Sequence, residues 1–271
     1  MFENMAFGLL KGKKGIITGA LDEQSIAWQV ALQAKAEGAE LLLTNTPVSV
    51  RLGKVHQLAE LTESEFVAAD LTVEEDIVKL YEKAQEKMGK IDFLLHSIGM
   101  SMNVRKNKAY TDLNYDFLHK TLDISAISLH RLLQIGLKMD MFKEWGSVAA
   151  LSYIAAQKFF PKYNDMTESK ALLETIVRHF GYYLGKAKKV RVNSISQSPT
   201  PTTAGLGVPG FDKMLTFSEK LSPLGNATAQ ECAGLVIYLF SDLSRKITMQ
   251  NIYHDGGFSQ TGLSEELLEL L

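Results

Sequence analysis

Tyr163 and Lys170 lie seven positions apart in the stretch LSYIAAQKFFPKYNDMTESK, with a second tyrosine, Tyr153, nine intervening residues upstream of Tyr163. A phenol hydroxyl is an acid or hydrogen-bond donor for an oxygen that gains negative charge during a reaction. A nearby ammonium lowers the phenol pKa and also donates to hydroxyl groups of a bound ligand. Seven residues are two helical turns, so on a continuous helix both side chains point nearly the same way. Alone, such a pair is more often structural than catalytic. Its position directly after a strand, in a chain with a nucleotide-type turn, argues for chemistry.

The elements that hold this pair follow from an alternation of apolar segments with helical patterns, which marks βαβ units and a parallel sheet. Strands are expected at 15–19, 40–45, 66–69, 91–97, 146–151, 190–195 and 251–254, with a helix over 25–37 after the first. Thr72 with Glu75 and Thr228 with Glu231 have the spacing of capping boxes, the second opening a helix that runs through Leu239. The expected fold is α/β: a single-domain Rossmann-like doubly wound parallel sheet over 1–271, with helices on both faces. The segment 196–222 differs, because it gathers Pro199, Pro201, Pro209, Gly205, Gly207 and Gly210. A stretch of that length reads as a functional flap. Its apolar residues, among them Leu206, Phe211, Met214 and Phe217, suit a lid or a subunit-packing helix, and the two can coexist.

At the end of the first strand, Thr18-Gly19 leads into Ser25-Ile26-Ala27. Small residues at a strand-to-helix turn let backbone approach a pyrophosphate, and the helix N-terminus supplies amides and a positive dipole end. Only one of the usual three glycines is present, so an ordinary β–α turn is the rival reading. Asp70-Leu71 after the third strand offers an acceptor for an adenine amine, although Asp70 alone is more often a helix cap. Ser97-Ile98-Gly99 after the fourth strand gives a glycine turn against which a ribose can lie. These residues converge on the crevice at the carboxyl ends of the strands. The second strand ends Thr44-Asn45-Thr46-Pro47, with no cation before Arg51 to take a 2′-phosphate. That points to NADH, with NADPH the alternative.

Conventional short-chain dehydrogenases place Lys four residues after Tyr and a Ser about 13 before it. Here those positions are Thr167 and Ala150. The Tyr153–Tyr163–Lys170 spacing instead resembles bacterial-type enoyl-acyl-carrier-protein reductases, a divergent branch of that superfamily. The resemblance extends from Gly19 through Asp70-Leu71, Ser97-Ile98-Gly99 and Arg191-Val192-Asn193 to Asp255-Gly256-Gly257-Phe258-Ser259. It implies that Gly19, Ser25 and Ile26 hold the pyrophosphate and ribose, that Thr46 sits near the adenosine ribose, and that Asp70 and Leu71 frame adenine. It further implies that Ser97, Ile98 and Gly99 line the cofactor cleft and that Lys170 binds the nicotinamide ribose. Thr200, Thr202, Thr203 and Ala204 then cover nicotinamide and phosphates. Ser101, Tyr153 and Tyr163 approach the substrate, with Tyr163 polarising a thioester carbonyl and Tyr153 the second active-site tyrosine. The implied partners are an acyl-carrier-protein-linked trans-2-enoyl substrate and three further copies in a homotetramer. Where many members carry Gly-Pro-Ile-Arg-Thr, this chain has Ser198-Pro199-Thr200-Pro201-Thr202, so the packing on the nicotinamide face differs.

Composition narrows the alternatives. A net charge of −2 over 271 residues offers no basic face for nucleic acid. The cluster Lys186, Lys188, Lys189 and Arg191 reads as a solvated loop rather than a phosphate site. One cysteine, Cys232, excludes an intramolecular disulfide and reads as a buried core thiol. The six histidines lack metal-ligand spacing, so no metal is expected. Neither the N-terminus, MFENMAFGLLKGKKG, nor any other stretch has the run of apolar residues that a signal or a membrane span needs, so a cytoplasmic enzyme without membrane insertion is expected. The segment 263–271 is amphipathic, suited to packing on a neighbour or to fraying. Two rivals remain: a 3-oxoacyl or carbonyl reductase on the same fold, and a nucleotide-sensing homologue without turnover.

Overall fold

A computed structural model describes residues 6–269. β1 (Lys14–Thr18) and α1 (Ile26–Ala36) are followed by β2 (Glu40–Asn45), α2 (Pro47–Leu52), α3 (Val55–Thr62) and β3 (Glu65–Ala68). Next come α4 (Glu74–Met88), β4 (Ile91–His96), α5 (Met102–Arg105), α6 (Tyr115–Leu122), α7 (Ser128–Lys138) and β5 (Phe142–Ser152). The chain continues through α8 (Asp165–Lys188), β6 (Arg191–Gln197), α9 (Phe211–Leu221), α10 (Ala229–Phe240), β7 (Asn251–His254) and α11 (Glu265–Leu268). The strands form one seven-stranded sheet in the order β3-β2-β1-β4-β5-β6-β7, every pairing parallel. This is the expected doubly wound sheet.

Successive strand residues face opposite layers. Ile16 and Leu42 enter a core with Leu80 of α4, Leu132 of α7 and Leu173 of α8. Ile17 and Leu43 enter the other, with Val30 of α1 and Val236 and Phe240 of α10. Cover on both faces explains why the strands read as continuous apolar runs rather than alternating ones. Chain order reverses between β1 and β4, so their carboxyl ends open a crevice.

Local expectations fared unevenly. The Thr228–Glu231 capping box forms: Thr228 Oγ1 accepts from the Glu231 amide, and Glu231 Oε2 accepts from the Thr228 amide at 2.8 Å. The Thr72–Glu75 box does not. Asp70 Oδ1 captures the Thr72 amide at 2.9 Å and the Thr72 hydroxyl at 2.7 Å, a carboxylate-centred turn that competes with the box. α4 therefore starts one residue later, with Val73 at its N-cap and three acidic residues in its first turn.

The basic cluster is not a solvated loop. Lys186 and Lys188 belong to the last turn of α8, and Lys189 ends that helix in the left-handed conformation at φ 58°. Arg191 is 2 % exposed. Its guanidinium donates to the Leu239 carbonyl at 2.7 Å and the Ser241 carbonyl at 3.2 Å, satisfying the carboxyl end of α10. Cys232 is buried, as expected, and burial pushes its thiol pKa up.

The segment expected as a long loop contains a short 3₁₀ turn at Gly205–Gly207 and the helix α9. Of the C-terminal stretch, residues 265–268 form α11, while 270 and 271 lie outside the described residues, as do residues 1–5 of the N-terminal reading. Among the described residues no helix is long and apolar enough to cross a membrane.

Candidate active site

At the sheet's centre, Gly19 ends β1 with φ +86° and donates its amide to the Thr44 carbonyl. A Cβ at this position would sit 2.0 Å from the Ser97 carbonyl oxygen, so the turns after β1 and β4 touch only because residue 19 has no side chain. Ser25 serves the turn itself: its Oγ accepts from the Leu21 and Asp22 amides, each at 3.2 Å. The first amides of α1 are then the donor end facing an anion. Gly19→Ala combines a left-handed backbone with a backbone collision. Expected is a loss of roughly 1–3 kcal/mol of stability together with weakened nucleotide binding, read by thermal unfolding and nucleotide titration. An alanine variant with the wild-type Tm and affinity would remove Gly19 from the cradle.

The remaining cofactor candidates line the same end of the sheet. Thr46 caps α2, its Oγ1 accepting from the Ser49 amide at 3.2 Å, and Asn45 Nδ2 donates to the Ala20 carbonyl at 2.9 Å. Asp70 is tied to Thr72, and Leu71 is buried in the core beside β1 and β4. The Ser97 amide donates to Thr18 Oγ1 at 3.2 Å, holding the β1 and β4 ends together. Ile98 packs against the same core, and a Cβ on Gly99 would come within 3.7 Å of Lys170 Nζ. Thr200 is buried, its hydroxyl shared between the Ser198 and Ala227 carbonyls. Thr202 Oγ1 accepts from the Gly205 amide at 3.0 Å. Thr203 and Ala204 are exposed, and the Thr203 hydroxyl donates to the Asp22 carboxylate, latching the flap onto the turn after β1.

The tyrosines and the lysine meet at the end of β5. Tyr153 is the first residue past that strand, and its ring lies 5.2 Å from that of Tyr163, edge to face. Tyr163 is not on a continuous helix with Lys170. α8 begins at Asp165, after Lys162 and Asn164 adopt positive φ of 65° and 43°. The turn that brings Tyr163 beside Tyr153 takes left-handed steps that a helix forbids. The Tyr163 hydroxyl has no hydrogen-bond partner among the described residues. Burial pushes its pKa up, and that of Tyr153 as well, which reverses the expectation that the ammonium would lower the phenol. Both phenols stay neutral donors at working pH.

Lys170 is 7 % exposed and donates to the Leu151 carbonyl at 2.8 Å. An ammonium has three donors, so two remain for ligand hydroxyls. Burial lowers its pKa to about 8, partly opposed by the charge of Glu174. At physiological pH it is a cation close to its midpoint.

Sequence reasoning missed Asn103, Thr121 and Asp165, whose cluster also takes up Ser101, a residue expected to approach the substrate. Ser101 caps α5 and donates to Asp165 Oδ1 at 2.5 Å, so its hydroxyl is committed within the protein. Asn103 and Thr121 donate to Asp165 Oδ2, each at 2.8 Å. Asp165 is a fully buried carboxylate at the start of α8, where three side-chain donors and the helix dipole replace water. Its adjacency to Tyr163 was the one visible signal; its partners lie 44 to 64 residues away. On the apolar side, Tyr153, Leu221 and Phe258 cluster with Phe160 and Met214, and the Tyr153 hydroxyl meets Met214 Sδ of α9 at 3.5 Å. Among the described residues no group of three or more His, Cys, Asp or Glu could hold a metal ion.

The geometry has close counterparts. The family model described as Enoyl-(Acyl carrier protein) reductase matches residues 19–259. An enoyl-[acyl-carrier-protein] reductase [NADH] FabI from Rickettsia felis is 36% identical over 260 residues, 95% of this chain and 98% of the relative. The crystal structure of a FabI–NADH complex from Alistipes finegoldii superposes with a TM-score of 0.94 at 59% identity, covering 95% of this chain and 92% of that one. The Bacillus cereus enoyl-acyl carrier protein reductase, crystallised with NADP+ and an indole naphthyridinone, gives 0.88 at 30% identity over 94% of this chain and 99% of its own. With a family match across most of its length and the Tyr–Tyr–Lys centre at the end of β5, this chain belongs to the enoyl-(acyl carrier protein) reductase family.

Proposed function

We propose that this protein is an NADH-dependent enoyl-acyl-carrier-protein reductase that converts trans-2-enoyl thioesters to saturated acyl thioesters in fatty-acid elongation. The observation that carries the reading is the neutral Tyr163 hydroxyl, without a hydrogen-bond partner among the described residues, its ring against that of Tyr153, with the Lys170 ammonium held at the Leu151 carbonyl near the end of β5 and a Gly19 turn that fits a pyrophosphate. Bound NADH would supply the hydride for the β-carbon, and the resulting enolate would take up a proton at the α-carbon to give the saturated thioester. Tyr163 donates to the thioester oxygen, where negative charge collects, and such stabilisation is commonly the largest catalytic contribution. The two free donors of Lys170 hold ribose hydroxyls. Gly19, Ser25 and Ile26 receive the pyrophosphate and ribose, Thr46 the adenosine ribose, and Asp70 and Leu71 the adenine. Ser97, Ile98 and Gly99 line the cleft, and Thr200 to Ala204 cover it.

The flap 196–222 serves as a lid. Met214 of α9 already touches Tyr153, and Leu221 and Phe258 extend an apolar wall that suits an acyl chain. Ser101 contributes through its backbone, its hydroxyl being spent on Asp165. The chain works as a cytosolic homotetramer on acyl-carrier-protein-linked substrates; light scattering that returned a monomer would remove the assembly from this reading.

The reaction is tested by following NADH oxidation with trans-2-enoyl thioesters of increasing length beside 3-oxoacyl thioesters. Turnover restricted to enoyl substrates is expected. Reduction of the 3-oxoacyl series alone would transfer the protein to the carbonyl reductases, and tight NADH binding without turnover would make it a sensor. NADH should be used in preference to NADPH by roughly 10- to 100-fold in kcat/KM, the worth of one missing charge-assisted contact to a 2′-phosphate. Equal use of both nucleotides would show that Arg51, exposed at the end of α2, reaches the phosphate.

A further inference from the structure

One buried charge near the centre has no part in the chemistry above. Glu174 stands four residues after Lys170 on α8, one turn further along the same face, and is 5 % exposed. Its Oε1 accepts from Ser152 Oγ at 2.6 Å and its Oε2 from Gln157 Nε2 at 3.2 Å. Gln157 Oε1 in turn accepts from the Tyr253 hydroxyl of β7. Ser152 lies between Leu151, whose carbonyl holds the Lys170 ammonium, and Tyr153. One carboxylate therefore ties together α8, the end of β5, the turn after Tyr153 and, through Gln157, β7. Among the described residues no cation lies within ion-pair distance of it, so this is a buried carboxylate held by neutral donors. Burying such a charge is costly, and a chain that needed only the pin would be served by an amide.

We propose that Glu174 is a positioning residue for the reductase: its carboxylate fixes the strand end that carries the Lys170 acceptor, and its negative charge keeps the Lys170 ammonium protonated for the cofactor ribose. The inference rests on the proposed role of Lys170 in cofactor binding. The other groups facing this pair do not supply the charge. His96 at the end of β4 is fully buried and neutral, its pKa lowered to about 3 by burial and by Lys170 itself. Tyr153 and Tyr163 are held neutral by burial. Tyr253 is likewise raised above the ordinary phenol range. Asp255, after β7, spends its carboxylate on the Gly257 and Ser259 amides and acts electrostatically on Tyr153, Tyr253 and His254. Glu174 is the charge that opposes the desolvation of Lys170.

Glu174→Gln separates charge from shape. The amide oxygen still accepts from Ser152, and a flip of Gln157 lets its oxygen accept from the new amide while the Tyr253 hydroxyl accepts from Gln157. Removing a negative charge disfavours the ammonium, so the Lys170 midpoint moves to lower pH. The readout is the Cε resonance of Lys170 in protein labelled with [13C]lysine, assigned by its absence in Lys170→Met and followed through pH alongside NADH titrations. Glu174→Gln should lower the midpoint by about one unit and weaken NADH binding roughly two- to fivefold between the two midpoints, approaching about tenfold above the upper one. Glu174→Asp and Ser152→Ala, which keep the charge and disturb only the pin, should leave the midpoint within a few tenths. An unmoved midpoint in folded Glu174→Gln overturns the proposal, as does a shift that leaves NADH affinity unchanged. If Glu174→Gln does not fold, a fall of the midpoint in Ser152→Ala by a full unit overturns it instead, because the pin and not the charge would then govern Lys170. None of these readouts requires turnover, so failure of the enoyl-reductase reading shows separately, in the wild-type assay.

Discussion

Tyr163→Phe is expected to lower kcat/KM for a trans-2-enoyl thioester by roughly 10²- to 10³-fold, as for the loss of one oxyanion donor, while leaving NADH affinity and Tm nearly unchanged. The structure makes this substitution unusually clean. The Tyr163 hydroxyl has no hydrogen-bond partner among the described residues, so removing it leaves none of their buried donors or acceptors orphaned, the usual source of large mutational losses. The ring keeps its edge-to-face contact with Tyr153. Because burial raises the phenol pKa, the hydroxyl does not titrate in the working range. The variant should therefore lose rate at every pH without changing the shape of the profile. Steady-state kinetics through the pH range, beside a Tyr153→Phe control, decide the matter. A larger loss in the Tyr153 variant, whose hydroxyl now meets Met214 Sδ, would exchange the roles of the two tyrosines.

Lys170→Met should separate stability from function in opposite directions. The ordinary lysine pKa of 10.5 falls to about 8 in the fold because the ammonium is desolvated. Between those values the unfolded chain binds more protons than the native one. Stability at this residue therefore rises with pH from about 8 to about 10.5 and is least below 8, where the buried cation must be carried. A depression of this size costs on the order of 3 kcal/mol at neutral pH. Methionine removes that cost but leaves the Leu151 carbonyl without its donor, a penalty of roughly 1–3 kcal/mol. The variant is expected to be at least as stable as wild type at pH 7. Its affinity for NADH should nevertheless drop roughly 10- to 100-fold, the worth of one charge-assisted contact to the ribose, and turnover should fall with it. Thermal unfolding at pH 7 and NADH fluorescence titration measure the two effects. A strongly destabilised variant would show that the ammonium is a net structural asset; unchanged NADH affinity would remove Lys170 from the cofactor site. The wild-type kcat/KM should also decline on the alkaline side near pH 8, as the ammonium is lost.

Thr203 reaches Asp22 across the crevice, so one hydrogen bond links the loop after β6 to the turn after β1. α9 lies beyond that latch with Met214 on Tyr153. The contact of Met214 with Tyr153 is to a thioether and is weaker than a buried polar bond; under the proposed function, this would let the acyl side open while the cofactor side stays closed.

Sequence alone determined the elements whose cause is local or periodic. Apolar runs bounded by turn residues located every strand of the sheet, because a strand covered on both faces must be apolar at consecutive positions such as Ile16-Ile17 and Leu42-Leu43. The Gly19 turn and the Thr228–Glu231 box were legible because a positive φ and a three-residue cap are short-range requirements. The Tyr153, Tyr163 and Lys170 set was legible as a spacing. Tertiary structure alone decided how those residues are used. Tyr163 leaves the helix because the turn at Lys162 and Asn164 must bring it to Tyr153, a contact between chain segments. Arg191 is buried because the carbonyls ending α10, some fifty residues away, need a donor. Asp165 is stable without water only because Ser101, Asn103 and Thr121 converge on it, and Glu174 because β5 and the turn after it do. A buried polar group is defined by partners distant in sequence, and periodicity carries no information about which distant residues those are.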